Sequence, residues 1–311
     1  MRFFRGWPIC FVAWALLGGC ATSHSLPTWR PSENLPTSAE LKEVPFFPQA
    51  QYQCGPASLA AALAWSGVSV RPEDLVSLVY SPSRQGSLPT EMISATRRYS
   101  RVAYPISTPS DLLVELAAGN PVVVLQNVGV DWYPQWHFAV AIGYDLLEEK
   151  VILHSGIEAR HILSWSRFVH TWKGSGNWGL VVLPPSRLPA TATERTFLES
   201  VVGLERSHQW EAAAQAYDAA RERWPASLAA LIGLGNSRYA LGDLLGAEQA
   251  FRAATRAHPL AASGFNNLAH VLAEVGRHEE ALAAARTAVG LGGPLADVSR
   301  TTLLEIQAGE K

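Results

Sequence analysis

The sequence predicts an α+β domain followed by an all-α domain built from helical repeats. Three observations lead to this prediction. Residues 44–185 place helical patterns before β-rich runs, which favours an α+β arrangement over a doubly wound sheet. Residues 194–295 repeat a helical pattern every 34 residues. Of the 311 residues, 48% are hydrophobic and 17% are charged, so the chain has enough apolar side chains to build a proper core.

Composition also limits the function classes. The apolar content excludes a disordered chain, and a formal net charge of -2 gives no indication of a nucleic-acid partner. Three cysteines are too few for a disulfide framework. No spacing of Cys and His matches a zinc site, so we expect no metal and no other cofactor.

The N-terminus has the features of a targeting signal. Two arginines precede an apolar run over residues 7–17, and the letters LGGC follow at 17–20. This box resembles the bacterial lipoprotein signal. The resemblance implies that residues 1–19 are a signal peptide and that Cys20 becomes the lipidated first residue. The non-acidic Ala21 then implies a bacterial cell-envelope protein in the outer membrane, facing the periplasm. An ordinary secretory signal with an incidental cysteine is the alternative.

Residues 20–43 follow as a stretch rich in Ser, Thr and Pro, which predicts a flexible lipidated stalk. The α+β region then begins at residue 44. Thr108 and Asp111 have the spacing of a capping box at the start of its fourth helix. The helical patterns cover 56–65, 72–80, 89–99 and 110–118, and the β-rich runs cover 122–128, 138–144, 151–154 and 178–183.

The C-terminal region contains three aligned blocks, residues 194–227, 228–261 and 262–295. Small residues recur where two helices of a block would press together, and Pro225 and Pro259 close the first two blocks. This pattern resembles the tetratricopeptide repeat, so an all-α repeat domain is expected over 194–311, with 296–308 as a final solvating helix. A generic Ala-rich bundle is the alternative. The linker 184–193, rich in Pro, Ala and Thr, predicts a boundary between two independently cored domains.

Cys54 is the strongest candidate for chemistry. Pro56 suits the first turn of a helix, which places Cys54 just ahead of a helix N-terminus. The partial positive charge there favours a thiolate, so we expect the pKa of this thiol to lie below its ordinary value. A thiolate nucleophile needs an imidazole partner. The region offers four histidines: His137, His154, His161 and His170. His137 opens an apolar strand directly after the aromatic loop DWYPQW, whereas His161 and His170 lie in polar or amphipathic surroundings and are expected on the surface. A buried, inert thiol is the alternative.

Three motifs carry a family resemblance: PQ followed by QCGPASLAAAL, GNPVVVLQN, and HFAVAIGYD. With these motifs, residues 44–183 resemble the papain-like, bacteriocin-processing class of cysteine peptidases, which cut double-glycine leaders. The resemblance implies that Cys54 is the nucleophile and His137 the general base. It also implies that an upstream glutamine donates to the oxyanion, and Gln49 is our assignment, with Gln51 as the alternative.

The sequence departs from this family at the third catalytic position. The family usually has Asp-Pro after the strand that follows the histidine strand, whereas this chain has His154-Ser155-Gly156. Ser155 and Asn177 are the two candidates for orienting His137 in place of a carboxylate. Loss of the orienting group in a catalytic triad costs about 10⁴ in rate, so the substitution concerns activity more than fold.

Two function hypotheses follow. In the first, the chain is a membrane-tethered cysteine peptidase that cleaves a peptide or isopeptide bond, and the repeats recruit its protein substrate or a protein partner. In the second, the peptidase-like domain is inactive and the chain is an adaptor that binds peptides or proteins. Acyl or amide transfer by the same residues is a third reading that the sequence does not separate from hydrolysis. Trp132, Trp136, Trp172 and Trp178 belong either to the wall of the cleft or to the core.

Overall fold

The computed structural model describes residues 35–49 and 52–309. The signal peptide, Cys20 and Gln51 lie outside this range. Seven strands form a single antiparallel sheet: β1 (Ser38–Glu40), β2 (Val102–Ile106), β3 (Val122–Asn127), β4 (Trp136–Asp145), β5 (Lys150–Ser155), β6 (Glu158–Ser164) and β7 (Gly179–Leu183). Five helices accompany the sheet: α1 (Cys54–Trp65), α2 (Pro72–Val79), α3 (Pro89–Arg98), α4 (Pro109–Ala117) and α5 (Trp165–Lys173).

The strand order is β2-β7-β3-β4-β5-β6, and every pair is antiparallel. Strand β4 is long enough to pair with β3 over its first half and with β1 beyond it. A register shift between Ala141 and Gly143 separates the two halves on the β5 side. The N-terminal half of β4 therefore lies deep in the sheet and gives its first residues a fixed position.

Strand β1 corrects the prediction that residues 20–43 are entirely a flexible stalk. Ser38 to Glu40 pair with Gly143 to Asp145, and Tyr144 donates its hydroxyl to the Pro36 carbonyl at 3.1 Å. Gly143 makes this pairing possible, because a Cβ there would lie 2.4 Å from the Ala39 carbonyl oxygen. The strand forms through a close backbone approach from β4, which composition alone does not reveal.

Helices cover both faces of the sheet. Helices α1, α2 and α3 pack on one face, where Leu59, Leu63 and Met92 are fully buried against Phe138. Helices α4 and α5 pack on the other face, where Phe168 and Trp172 are fully buried. Because alternate residues of a strand point to opposite faces, β3 and β4 are apolar on both sides, as their continuous hydrophobic runs predict.

The four sequence-predicted helices of this region are confirmed to within two residues. The cap of α4 is present, since the Thr108 hydroxyl accepts from the Asp111 N–H at 3.1 Å. The sequence analysis missed β2, β6 and α5. Strand β2 contains Pro105, which has no N–H for the ladder, and it occupies an edge of the sheet, where that loss is tolerated.

The C-terminal region is helical, as predicted. Three antiparallel helix pairs are followed by one further helix, and Gly242 and Gly276 adopt positive φ at two of the turns within pairs. The final helix covers the segment expected to solvate the end of the stack. The helices are α6 (Glu194–Arg206), α7 (Trp210–Arg223), α8 (Leu228–Ala240), α9 (Leu244–Ala257), α10 (Ala262–Glu274), α11 (His278–Leu291) and α12 (Ala296–Gly309).

The prediction of two independently cored domains is wrong. Phe197 and Val201 of α6 are fully buried in the same hydrophobic cluster as Tyr104 on β2 and Val181 on β7. The cluster continues into α7 and α8. Helix α6 therefore acts as a third covering helix for the sheet as well as the first helix of the repeat stack.

The linker between the sheet and the repeats, residues 184–193, is held by Glu115 of α4. This carboxylate is fully buried and accepts four hydrogen bonds. They come from Asn120 Nδ2 (2.6 Å), Ala190 N (3.2 Å), Thr191 N (2.7 Å) and Thr191 Oγ1 (2.6 Å). A buried carboxylate with this many donors ties the linker firmly to the sheet domain.

Within residues 35–49 and 52–309, no helix has the length and apolarity needed to cross a membrane.

Candidate active site

A cavity of about 1020 Å³ opens where α1 begins, beside the first residues of β4. Its walls come from four segments: the residues before α1, the loop between α2 and α3, the end of β3, and the loop that leads into β4. The candidates that line it together are Gln49, Cys54 and His137. The fold thus brings three residues, separated by up to 88 positions in sequence, to one cleft.

Cys54 is the first residue of α1 and is partly buried. Burial raises the pKa of its thiol, and this effect outweighs the opposing backbone N–H groups of Phe138 and Gly55, which point toward the sulfur and favour the anion. The expected lowering of the Cys54 pKa is therefore wrong for the free site. The helix N-terminus is present as predicted, but the desolvation of the thiol dominates.

His137 is the second residue of β4 and is also partly buried. Its Nε2 lies 2.9 Å from Ser155 Oγ, at the end of the neighbouring strand β5. Burial lowers the pKa of His137, and the nearby His161 on β6 lowers it further. The shifts at Cys54 and His137 have the same consequence, since both favour an uncharged thiol beside an uncharged imidazole.

Gln49 is placed by two hydrogen bonds. Its backbone N–H donates to the Gly156 carbonyl at 3.1 Å, and its side-chain Nε2 donates to the Phe138 carbonyl at 3.4 Å. The second bond is long and therefore weak. The side-chain amide of Gln49 thus lies beside Phe138, and breaking its weak bond to the Phe138 carbonyl would free Nε2 to donate to another acceptor.

Of the two candidates for orienting the imidazole, Ser155 contacts His137 and Asn177 does not. Asn177 lies in the turn between α5 and β7, and its Oδ1 is buried without a hydrogen-bond partner among the described residues. Ser155 stands one strand away from His137, at the place where the family resemblance expects a carboxylate. A side chain that contacts the imidazole is thus present at this position, but it is a neutral hydroxyl instead of a carboxylate.

Two histidines have supporting places near the site. His154 Nε2 donates to the Val44 carbonyl at 3.0 Å, and its ring packs against Phe46 at 5.3 Å, which fixes the segment that leads to Gln49. His161 Nδ1 lies 2.8 Å from a carboxylate oxygen of Glu158 on β6. The sequence analysis placed His161 on the surface. The alternation of polar and apolar residues after the Gly156 turn was the signal for a strand that brings it close to His137.

The aromatic loop before β4 forms an outer wall of the cleft. Trp136 and Tyr133 line the cavity, with exposed fractions of 50% and 62%. Trp172 belongs instead to the core, where its indole N–H donates to the Trp178 carbonyl at 2.7 Å. Trp178 packs edge-on against Phe138. The tryptophans near the site are therefore divided between cleft and core.

No group of three or more His, Cys, Asp or Glu side chains suited to a metal ion occurs in the part of the chain that the structure describes. The arrangement in the cleft combines a thiol at a helix start, an imidazole held on one nitrogen, and an amide donor. These are the components of nucleophilic catalysis by cysteine, with the imidazole as base and the amide as an oxyanion donor.

Comparison with known proteins bears on both regions. Residues 41–179 match the Peptidase_C39 like family, and residues 203–262 and 232–296 match the tetratricopeptide repeat. No curated protein matches the sequence. The chain therefore combines a Peptidase_C39-like domain, an antiparallel sheet with helices, with a helical domain of tetratricopeptide repeats.

Three solved structures resemble parts of the chain. A putative C39-like peptidase from Bacillus anthracis is 18% identical, with a TM-score of 0.41, and the match covers 48% of this chain and 98% of that one. A double glycine motif protease from an AMS/PCAT transporter, in complex with the leader peptide, is 21% identical, with a TM-score of 0.36 and coverages of 46% and 93%. The Yersinia enterocolitica type III secretion chaperone SycD, in complex with a peptide of YopD, is 17% identical, with a TM-score of 0.35 and coverages of 38% and 94%.

Proposed function

We propose that this chain, a Peptidase_C39-like domain joined to tetratricopeptide repeats, is a cysteine peptidase that hydrolyses a peptide or isopeptide bond. The observation that carries the proposal is the meeting of Cys54, His137 and Gln49 at one cavity, with Ser155 on the far side of the imidazole. The family match of residues 41–179 supports the same class of chemistry.

The protonation states of Cys54 and His137 determine how the reaction would begin. In the neutral imidazole that serves this role, Nε2–H donates to Ser155 Oγ and Nδ1 is the basic nitrogen. Because burial keeps both the thiol and the ring uncharged, the proton passes from Cys54 Sγ to His137 as the sulfur attacks the carbonyl carbon. A charged imidazolium therefore forms only when the substrate is present to take up the negative charge on its carbonyl oxygen.

The later steps use the same groups. As the C–S bond forms, the carbonyl oxygen becomes an oxyanion, which Gln49 Nε2 stabilises after leaving the Phe138 carbonyl, together with the Cys54 backbone N–H. The C–N bond then breaks, and the leaving amine takes its proton from His137. Water, deprotonated by His137, attacks the resulting thioester and releases the acid and the free thiol.

Hydrolysis of synthetic peptides tests this proposal. We expect the full chain to cleave members of a mixed-sequence decapeptide set, with products identified by mass spectrometry. Cys54→Ala and His137→Ala should abolish cleavage, and Gln49→Ala should slow it by about 10²–10³. His170→Ala, on the exposed face of α5, is the matched control and should leave the rate unchanged. Peptide binding by Cys54→Ala without cleavage by the parent chain would instead support the adaptor function.

The proposal includes attachment to the membrane through Cys20 and a location in the bacterial envelope, in the outer membrane facing the periplasm. The lipoprotein-like box at 17–20 supports this part. Several acyl chains would hold the protein firmly, at about 0.8 kcal/mol per buried CH₂. Cys20→Ala should abolish fatty-acid labelling in cells, whereas Cys10→Ala should not. Labelling that survives Cys20→Ala would contradict the anchor.

We assign recruitment of a protein substrate or partner to the repeats. Tetratricopeptide stacks curve and present a concave surface to a bound chain, and the family match over residues 203–296 supports this role. The four histidines of this region are scattered, and it contains no cysteine, so chemistry remains with the Peptidase_C39-like domain. A pull-down from a periplasmic extract with the full Cys54→Ala chain tests for a retained partner.

A further inference from the structure

The charge of the cleft is unbalanced. Among the described residues that line the cavity, Arg84 is the only one with a permanent charge, and none is acidic. In the described part of the chain no carboxylate lies within ion-pair distance of Arg84, whereas Arg160 of β6 is paired with Glu40 of β1 at 2.7 Å. The cleft therefore presents one unneutralised guanidinium to whatever enters it.

The loop that carries Arg84 has a defined shape. Arg84 ends a single 3₁₀ turn over Pro82–Arg84, and Gln85 reverses the chain in the left-handed region at φ 48°. Ser81 and Gly86 close the loop, with Ser81 N donating to Gly86 O at 2.8 Å. The backbone of this loop is thus organised without a hydrogen bond or ion pair from the Arg84 side chain to any other described residue, so the guanidinium is available for a ligand.

The same loop is packed against the nucleophile's helix. Ser87 lies so close to Gly55 that a Cβ on Gly55 would sit 2.2 Å from Ser87 Oγ. Gly55 directly follows Cys54, so the contact fixes the distance between the loop and the reacting sulfur. Arg84 stands three residues before this contact and lines the same cavity as Cys54.

The part of the wall that comes from the aromatic loop is also ordered, and its cavity-lining residues carry no charge. Asn127 Oδ1 accepts from the backbone N–H groups of Gly129 at 3.0 Å and Gln135 at 2.9 Å, which holds the two ends of the aromatic loop together. Tyr133 and Trp136 face the cavity from this loop. The cavity therefore offers a peptide both aromatic rings and a single cation.

We propose that the cleft selects peptides that carry a carboxylate close to the scissile bond, and that Arg84 binds this carboxylate. The proposal rests on Cys54 as the nucleophile of the proposed peptidase. A planar guanidinium matches a carboxylate with two parallel hydrogen bonds, which gives direction as well as charge attraction. The carboxylate belongs either to an acidic side chain or to the C-terminus of the substrate, and the test separates these two sources.

Bromoacetylated probes test the selection without requiring hydrolysis. The Cys54 sulfur displaces bromide from such a probe, a C–S bond replaces the C–Br bond, and the thiol proton passes to His137 or to solvent. One probe pair is bromoacetyl-Glu amide and bromoacetyl-Gln amide, which differ only in side-chain charge. The other pair is bromoacetyl-Gly-Gly as the free acid and as its amide. Peptide mapping assigns alkylation of the full chain to Cys54.

The expected result is an acid-over-amide rate ratio about two- to fivefold above that of free glutathione, in at least one probe pair, because Arg84 is exposed. Arg84→Gln should return the ratio to the glutathione value, and added salt should reduce it. Arg84→Lys should keep part of it. Arg256→Gln, an exposed arginine on α9, is the matched control and should change nothing.

Each outcome has a separate meaning. Preference in the glutamate pair assigns the carboxylate to a side chain, and preference in the glycyl pair assigns it to the C-terminus. Equal acid-over-amide ratios in the parent chain and in Arg84→Gln would overturn the inference, provided that uncharged iodoacetamide alkylates both at the same rate. A carboxylate preference without any peptide cleavage would leave this inference standing and count against the proposed peptidase.

Discussion

The junction between the sheet and the repeats differs from the cleft in how its polar groups are bonded. At the junction with the repeats, Phe197 is fully buried and the carboxylate of Glu115 accepts four hydrogen bonds from its surroundings. At the cleft, the Gln49 side chain is held by one 3.4 Å bond, and Trp136 is half exposed. The Glu115 carboxylate is thus fully matched by donors, whereas the Gln49 amide is left partly available.

This difference indicates where the stability of the molecule resides. The junction contributes apolar burial and a buried carboxylate with four donors, so its residues should determine unfolding. The cleft contains a weakly held amide donor and an unpaired guanidinium, an arrangement that contributes little to stability. Substitutions at the two places should accordingly separate into losses of folding and losses of chemistry.

The largest expected effect is that of Phe197→Ala. Removing a buried aromatic ring leaves a cavity at the shared core, and we expect the free energy of unfolding to fall by about 3–5 kcal/mol. Denaturant unfolding followed by tryptophan fluorescence and by accessibility of the Cys54 thiol should give coincident transitions. Leu260→Ala, 84% exposed between α9 and α10, is the control. Two separate transitions would show that the sheet and the repeats unfold independently.

Glu115→Ala should have the next largest effect. The substitution leaves the Thr191 and Ala190 N–H groups and the Asn120 amide without their acceptor, and we expect a loss of about 2–3 kcal/mol. Glu199→Ala, which removes an exposed partner of Arg195, should cost far less. The alkylation rate of Cys54 in the folded protein should not change. A reduced rate under native conditions would mean that the junction also positions the cleft.

Substitutions of Ser155 should change the reactivity of Cys54 and leave the stability of the protein nearly unchanged. Ser155→Ala removes a hydrogen bond to the imidazole, so the rate of Cys54 alkylation at pH 7 should fall by up to about tenfold. Ser155→Asp places a carboxylate there, which favours the charged imidazolium and should raise the rate by about the same factor. Both variants should keep the unfolding free energy of the parent chain within about 1 kcal/mol. Ser166→Ala on α5 is the control, and equal rates for Ser155→Ala and Ser155→Asp would contradict the orienting role.

The smallest expected effect is on the pH dependence of stability. Burial, with a further contribution from His161, lowers the pKa of His137 in the folded state, so the unfolded chain binds a proton at higher pH than the folded chain does. Stability is therefore lost as the pH falls below the ordinary histidine value of about 6.5. His137→Gln should reduce the loss of stability measured between pH 7 and pH 5. An unchanged profile would mean that other groups dominate acid unfolding.

The sequence indicated those parts of the fold that depend on local pattern. The helices beginning at Pro72 and Pro89, and the strands around Val122 and Phe138, follow from periodicity and from proline at the first helical turn. The 34-residue repeat similarly indicated the helix pairs. These features depend on neighbours in the chain, which a single sequence displays directly.

What the sequence did not reveal depends on contacts between distant segments. The β1 pairing requires the missing Cβ of Gly143, and the shared core requires Phe197 to meet β2. The shift of the Cys54 pKa was predicted from the helix N-terminus, but the burial that reverses it comes from packing around the cleft. The contact between His137 and Ser155 joins two strands 18 positions apart, and the resemblance to a family, not the local pattern, pointed to it.

Strand β1 also has a mechanical consequence. Among the described residues, a pull applied from the N-terminal side would meet the pairing of β1 with β4 before it met the cleft. The load falls on bonds such as Leu146 N to Thr37 O and Leu41 N to Ile142 O. Beyond them the chain passes the Val44 carbonyl held by His154 and arrives at Gln49. The pairing of this three-residue strand would therefore have to break before a pull from the N-terminal side reached Gln49.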